Sequence, residues 1–414
     1  MDPLHEAQAF GLVVLLVGAA GLLAVLSNRL TDRLQVPTPA LFLAAAAVMA
    51  QLVPDLRSPP QRTVERLVTV ALIIILFDGG MHIGWRRFRA AAGPIAVVGV
   101  VGTFLTTVAV AVIAHVGFGL SWYLALLVGT AVAPTDPAVV FSVLGQREPA
   151  GRTGTILEGE SGANDPVGIA LMVSLIAAGG VGAGALAHVA AQFALQMGIG
   201  AVVGVLGGGA LLWFMRAVPL PNEGLYPLRT LAASMLLFGL ASVAHGSGFL
   251  AVFVAGILIG DAPAPYKREI RRFHSSLASL GEIVAFVVLG LTVDLGVLGR
   301  SDVWVPGLVI GLLLAAVVRP LAVGLCLVPV DLSRGERAFV LFAGLKGAVP
   351  ILLGSFLLAA HVPSAERLYG IVVVVVAFSV VVQGGLVPTA ARLLRVPMDP
   401  GKLDRPGPAR SCDA

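Results

Sequence analysis

The sequence places Glu160, Ser161, Asn164 and Asp165 within one short stretch, Leu157-Glu158-Gly159-Glu160-Ser161-Gly162-Ala163-Asn164-Asp165-Pro166. In a helix, Glu160 lies four residues from Asn164 and Ser161 four from Asp165, so all four share one broad face. A second polar pair, Thr135-Asp136, is bracketed by Pro134 and Pro137. The proline rings leave main-chain carbonyls there without helical partners. Two carboxylates, a hydroxyl, an amide oxygen and free carbonyls make an oxygen cage that suits a hard monovalent cation at Asp136 and Asp165. The imidazole and thiolate ligands of a zinc or copper site do not occur in the cluster.

These groups stand in apolar sequence. A charged side chain at mid-bilayer costs roughly 2.5–3.5 kcal/mol on insertion scales, so each one needs a reason. Ser161 or Asn164 alone could be a packing hydrogen bond between helices, but Asp136 and Asp165 are a costly way to glue helices together. Glu158 reads as a solvated flank nearer the cytoplasm. Lys346, in Gly344-Leu345-Lys346-Gly347-Ala348-Val349-Pro350, is the only lysine inside the apolar runs. A buried ammonium must pair or lose its proton. Glu160 is the expected partner, in a structural ion pair, with snorkelling to an interface as the alternative. Arg319, before Pro320, is open to the same two readings. Asp78 reads either as a helix-end carboxylate or as a group lining an ion path, and Glu282 is similarly ambiguous. The histidines read as interfacial, joining no nucleophile or metal constellation.

The elements that must position these residues follow from composition. The chain has 414 residues, 57% apolar and 12% charged, with a mean hydropathy of +0.96. A soluble domain carries about twice that charged fraction. Fifty glycines suit close helix packing in lipid. Two cysteines give no disulfide or zinc framework. A net charge of +4, held mostly by loop arginines, does not suggest nucleic-acid binding. The chain is therefore expected to be an all-α polytopic membrane protein.

Apolar stretches recur at a length of about 20 residues per crossing, giving about thirteen. They fall near 8–28, 38–53, 64–83, 94–116, 121–144, 156–178, 186–215, 228–245, 247–261, 276–298, 303–328, 335–360 and 366–393. Continuous rather than alternating hydrophobicity favours helices over a barrel. The start lacks the basic region of a signal peptide, so the first helix is expected to be retained. Arginines and lysines concentrate in alternate loops, among them Arg86, Arg87 and Arg89, and Lys267, Arg268, Arg271 and Arg272. That bias places the amino terminus outside and the carboxyl terminus in the cytoplasm, which requires an odd number of crossings. Residues 1–397 form the expected transmembrane domain. Residues 398–414 read as a short disordered cytoplasmic tail, with no soluble regulatory domain following. Two helices are interrupted, at Ala133-Pro134-Thr135-Asp136-Pro137 and at Gly344–Pro350. Paired broken helices in corresponding halves point to an inverted-repeat transporter and its site, ordinary proline kinks being the alternative.

At these residues the chain resembles the bacterial monovalent cation:proton antiporters of the NhaP type, most closely their cell-volume-regulation, potassium/proton branch. The resemblance rests on Leu76-Phe77-Asp78-Gly79-Gly80, Thr135-Asp136-Pro137, the Leu157–Pro166 stretch, Gly248–Gly256, Arg319-Pro320-Leu321-Ala322-Val323 and Gly344–Pro350. It implies thirteen helices in two six-helix inverted repeats, a homodimer in the bacterial inner membrane, and an elevator-like core moving against a dimerisation domain. It implies that Asp165 exchanges proton for cation, with Asp136, Ser161 and the Thr135 carbonyl completing the coordination. Asn164 would support the site, and Glu160 would balance the basic residue of the broken helix. That basic residue is commonly arginine in the family and is Lys346 here; a lysine can deprotonate where arginine cannot.

The expected activity is secondary exchange of cytoplasmic sodium or potassium for external protons, serving pH homeostasis or cell volume, with no cofactor beyond the transported ions. Its partners are those ions, membrane lipids and a second copy of the chain. A cation channel could use the same cage but needs a continuous pore. An intramembrane hydrolase would use Asp136 and Asp165 as an acid/base dyad, but oxygen ligands and paired broken helices argue against it.

Overall fold

Apolar segments in lipid must satisfy their amides and carbonyls internally, and helices do so within one segment. The computed structural model describes residues 37–53, 60–144 and 147–400, with positions 11, 18 and 22. The expected crossing at 8–28 and the tail beyond Pro400 lie outside the described residues, so the count of about thirteen crossings is not tested. Each expected stretch from the second onward coincides with helix. Eight helices among the described residues are long and apolar enough to cross a membrane, and three shorter apolar helices accompany them.

In chain order the elements begin with α1 (Thr38–Leu52) and α2 (Gln61–Ala96). A π segment (Val97–Gly102) continues α2 into α3 (Thr103–Phe118). The first broken helix is α4 (Trp122–Val132) with α5 (Pro137–Leu144), and β1 (Arg147–Pro149) leads into α6 (Gly151–Ala178). Then come α7 (Ala183–Ala217), α8 (Leu225–Val243), α9 (Gly248–Gly260) and α10 (Lys267–Leu291). A single turn, α11 (Leu295–Leu298), precedes α12 (Ser301–Leu313), which runs through a π segment (Leu314–Val318) into α13 (Arg319–Leu327). The second broken helix is α14 (Arg334–Phe342) with α15 (Ala348–Ala359). The last is α16 (Ala365–Ala377), a π segment (Phe378–Gln383) and α17 (Gly384–Leu393), followed by β2 (Met398–Pro400).

Most of the basic residues expected in loops are helical instead, Arg216, Arg334, Arg337 and Arg392 among them. Arg86, Arg87 and Arg89 lie in α2 just past Gly84, whose φ of 67° separates two helices that otherwise run on without a loop. Lys267, Arg268, Arg271 and Arg272 open α10, with Glu269 in its first turn. Charged residues form helix as readily as apolar ones, so hydropathy marks where lipid contact ends rather than where the helix ends. The tail assignment from Met398 also needs refinement. β2 pairs antiparallel with β1, Arg147 opposite Pro400 and Pro149 opposite Met398, and the Ala150 amide donates to the Pro397 carbonyl at 2.9 Å. This short ribbon, the only sheet among the described residues, ties the chain after α17 to the start of α6.

Glycines set the closest packing. A Cβ on Gly80 would lie 2.4 Å from the Phe253 carbonyl oxygen, and one on Gly256 would lie 2.4 Å from that of Phe77. Thus α2 and α9 touch backbone to backbone, the close approach that small residues allow in membranes. Substituting Gly256→Val should cost at least about 2 kcal/mol through overpacking. Gly209→Ala on α7, where nothing stands within 4 Å of the new methyl, should be neutral. Thermal unfolding in detergent checks the pair, and equal midpoints would remove this seam as a source of stability.

Candidate functional site

The first break forms because Pro134 has no amide to donate and Pro137 starts a new helix. The second runs from Ala343 to Gly347, between Phe342 and Ala348. The two breaks meet: the Asp136 amide donates to the Leu345 carbonyl at 2.8 Å. The Asp136 carboxylate accepts from the Ala138 amide at 2.9 Å, and the Val139 and Ala348 amides also address it. It therefore sits at the amino ends of both α5 and α15, where helix dipoles favour an anion. Gly347 makes this possible, since a Cβ there would stand 1.9 Å from Asp136 Oδ2.

Helix α6 supplies the opposite wall. Glu160, Ser161, Asn164 and Asp165 are all buried, none more than 7% exposed. Asn164 grips the first break at Thr135: its Nδ2 donates to Thr135 Oγ1 at 2.8 Å, and its Oδ1 accepts from the Thr135 amide at 3.4 Å. The Thr135 hydroxyl donates to Glu160 Oε1 at 3.5 Å. Asp165 lies within electrostatic range of Asp136 and Lys346. Its Oδ1 is sealed and has no hydrogen-bond partner among the described residues.

The expected Glu160–Lys346 pair is not formed. Glu160 is held by Arg319, whose two terminal nitrogens donate to Oε1 and Oε2 at 2.7 and 3.0 Å. Lys346 instead donates to the Ala133 and Pro134 carbonyls at 2.9 and 3.1 Å. The physical reason lies in the two cations. A planar guanidinium matches a carboxylate bidentately, whereas a compact ammonium suits converging carbonyls at a helix carboxyl end. Arg319 also donates to the Leu341 and Val340 carbonyls near the end of α14, at 2.9 and 3.1 Å. Of its two open readings, the structural pair is the one realised.

Thr135, Asp136, Glu160, Asn164, Asp165 and Lys346 therefore share one centre, with Ser161 buried on the same helix. Asp78 stands apart, between α2 and α10, with His82 Nδ1 at 3.2 Å and the Ser275 hydroxyl at 3.3 Å. Sequence reasoning passed over two residues, Ser379 and Gln383. The signal was present: they are the polar pair, four apart, in a run of valines.

Two broken helices that meet beside buried carboxylates, in a chain of span-length apolar helices, define a polytopic membrane protein with a polar centre between half-helices. The chain belongs to the sodium/hydrogen exchanger family, whose transmembrane profile matches residues 18–393. It is 36% identical over 387 residues to the K(+)/H(+) antiporter NhaP2 of Shewanella oneidensis, covering 92% of this chain and 66% of that protein. It is 33% identical over 406 residues to the K(+)/H(+) antiporter NhaP of Alkalimonas amylolytica, covering 95% and 69%. The chain thus spans about two thirds of the length of these relatives. Among solved structures it superposes on the sodium proton antiporter MjNhaP1 from Methanocaldococcus jannaschii at pH 8 with a TM-score of 0.76, at 22% identity, over 93% of this chain and 98% of that one. This likeness shows the shared fold.

Removing either partner of the Glu160–Arg319 pair strands a buried charge, at a cost of about 3–5 kcal/mol. Arg319→Ala and Glu160→Ala should each lose stability on that scale, and the double mutant should lose less than their sum. The Glu160–Lys346 cycle should show weaker coupling. Stronger coupling to Lys346 than to Arg319, measured by thermal unfolding, would contradict the observed pairing.

Proposed function

We propose that the protein is a secondary antiporter exchanging sodium or potassium for protons at a single site centred on Asp165. The observation that carries this reading is the sealed, unpartnered Asp165 Oδ1 beside Asp136 and Lys346. Charge counting leads the same way. Glu160 and Arg319 neutralise each other, and Lys346 offsets one of the two aspartates. At least one negative charge is left in a poorly solvated centre, with the Glu282 carboxyl in electrostatic range of Asp136 beside it, and a bare charge there is costly. Either a proton or a monovalent cation removes that cost, and one carboxylate holds only one of them at a time. Competition for Asp165 then couples the two fluxes, and the bare state is disfavoured as the one that moves.

Asp136, Ser161, the Thr135 carbonyl and Asn164 surround the cation on this reading, with Asp136 contributing charge and the others oxygen ligands or support. The names of the relatives, K(+)/H(+) antiporters, favour monovalent cations. Asp78, a turn and a half before the Gly84 kink within α2, is assigned to the ion's approach. The basic residues that recur at alternate helix ends and turns support an external amino terminus and a cytoplasmic carboxyl terminus. A homodimer in a bacterial plasma membrane is the assembly and setting we assign.

Asp165→Asn should abolish exchange in proteoliposomes while leaving a folded protein, because an amide has no proton to release. Retained coupled exchange would overturn the assignment. Asp136→Ala should raise the apparent KM for the cation, and an unchanged KM would remove Asp136 from the site. The sign of the pH effect follows from competition. As pH falls, protons fill Asp165 and the apparent KM for the cation rises, while the rate at saturating cation changes far less. A fall in maximal rate alone would place the proton on a different group.

A further inference from the structure

The second break poses a satisfaction problem that its own helix cannot solve. Helix α14 ends in mid-structure, leaving its last four carbonyls without helical donors. Phe339 accepts from the Ala343 amide at 2.7 Å, and Val340 and Leu341 accept from Arg319. The remaining carbonyl, that of Phe342, accepts from Gln383 Nε2. On the far side of the break, the Lys346 amide donates to Ser379 Oγ at 3.0 Å. The Ser379 hydroxyl in turn donates to Gln383 Oε1 at 3.3 Å. Each of the two side chains thus holds one end of the break and is linked to the other.

Both residues are buried and belong to the π segment between α16 and α17. Such segments recur at functional positions in helices. What the pair holds in place matters more than the pair itself. The residues between its two grips include Leu345, whose carbonyl takes the Asp136 amide, and the grip ends on Lys346, whose ammonium caps Ala133 and Pro134.

We propose that Ser379 and Gln383 are positioning residues for the ion site: they touch no ion, but fix the second break so that Leu345 and Lys346 hold Asp136 and the Thr135 segment in register. The inference rests on the exchange reading given above. Side chains that act through a backbone segment change affinity more than turnover, because they alter where the ligands stand before the ion arrives.

The test uses the full chain in proteoliposomes. Ser379→Ala and Gln383→Leu should each raise the apparent KM for sodium or potassium about tenfold, with the maximal rate within about twofold, as expected for loss of one organising hydrogen bond. Ser379→Thr, which keeps the hydroxyl, should restore the wild-type KM. Ser234→Ala on α8 removes an equally buried hydroxyl that donates to the Leu231 carbonyl at 2.7 Å, and should leave KM unchanged. If Ser379→Ala does not assemble, Ser379→Cys carries the same expectation at smaller amplitude. Unchanged KM in both clip variants, or an equal rise in Ser234→Ala, would overturn the proposal. A readout independent of transport is amide hydrogen exchange at Asp136 and across 343–347. Protection should fall in Ser379→Ala, and unchanged protection would overturn the proposal even if the protein moved no ions. Absence of Asp165-dependent exchange in the unmodified protein would sink the antiporter reading instead.

Discussion

In a bilayer every main-chain amide and carbonyl needs a partner inside the protein, and two helices here are broken in mid-span. The rest of the site is arranged around that debt. The half-helices that end at the breaks, α4 and α14, meet cations at their carboxyl ends, Lys346 on one and Arg319 on the other. The half-helices that begin there, α5 and α15, share one anion, Asp136, at their amino ends. A single backbone hydrogen bond from Asp136 to Leu345 joins the two breaks. Charges that would be expensive in lipid are placed where helix dipoles and orphaned backbone groups require them.

The same arrangement explains how Asp165 differs from Glu160 and Asp136. Glu160 is fully engaged by Arg319, and Asp136 by backbone amides, so their geometry is fixed by the fold. Asp165 has an oxygen with no such engagement among the described residues. It lies on α6, a continuous helix anchored to the first break through Asn164 and Thr135. A rigid wall carrying a free ligand, facing a wall of satisfied ones, is a suitable arrangement for a group that must change partners without the surrounding structure changing first.

Glycine is the second constraint that makes the centre feasible. At Gly344 a Cβ would stand 1.9 Å from Arg319 Nε, and at Gly347 the same distance from Asp136 Oδ2. The glycines flanking Lys346 thus leave room for the guanidinium on one side and the carboxylate on the other. Farther out, Gly80 and Gly256 let α2 and α9 cross at backbone contact. Polar groups at the centre and close packing around it depend on the same absence of side chains.

The sequence by itself determined the membrane class, the helical stretches from the second onward, the two breaks and the cluster around Asp136 and Asp165. These are legible because hydropathy, proline and charge act locally: a run of apolar residues must be helical in lipid wherever it lies, and a carboxylate inside one is conspicuous at any position. Helix ends were less legible, as the basic turns at Arg86 and Lys267 show, because charged residues continue a helix past the lipid boundary. Only the tertiary structure decided which cation meets which anion. Lys346 and Arg319 were both visible as buried positive charges, but pairing depends on distances across four different helices, to which sequence spacing is blind. For the same reason Ser379 and Gln383 looked like incidental polar residues in a valine-rich span. Their partners, the Phe342 carbonyl and the Lys346 amide, are backbone groups, whose need for a hydrogen bond arises only where the folded chain leaves its helix.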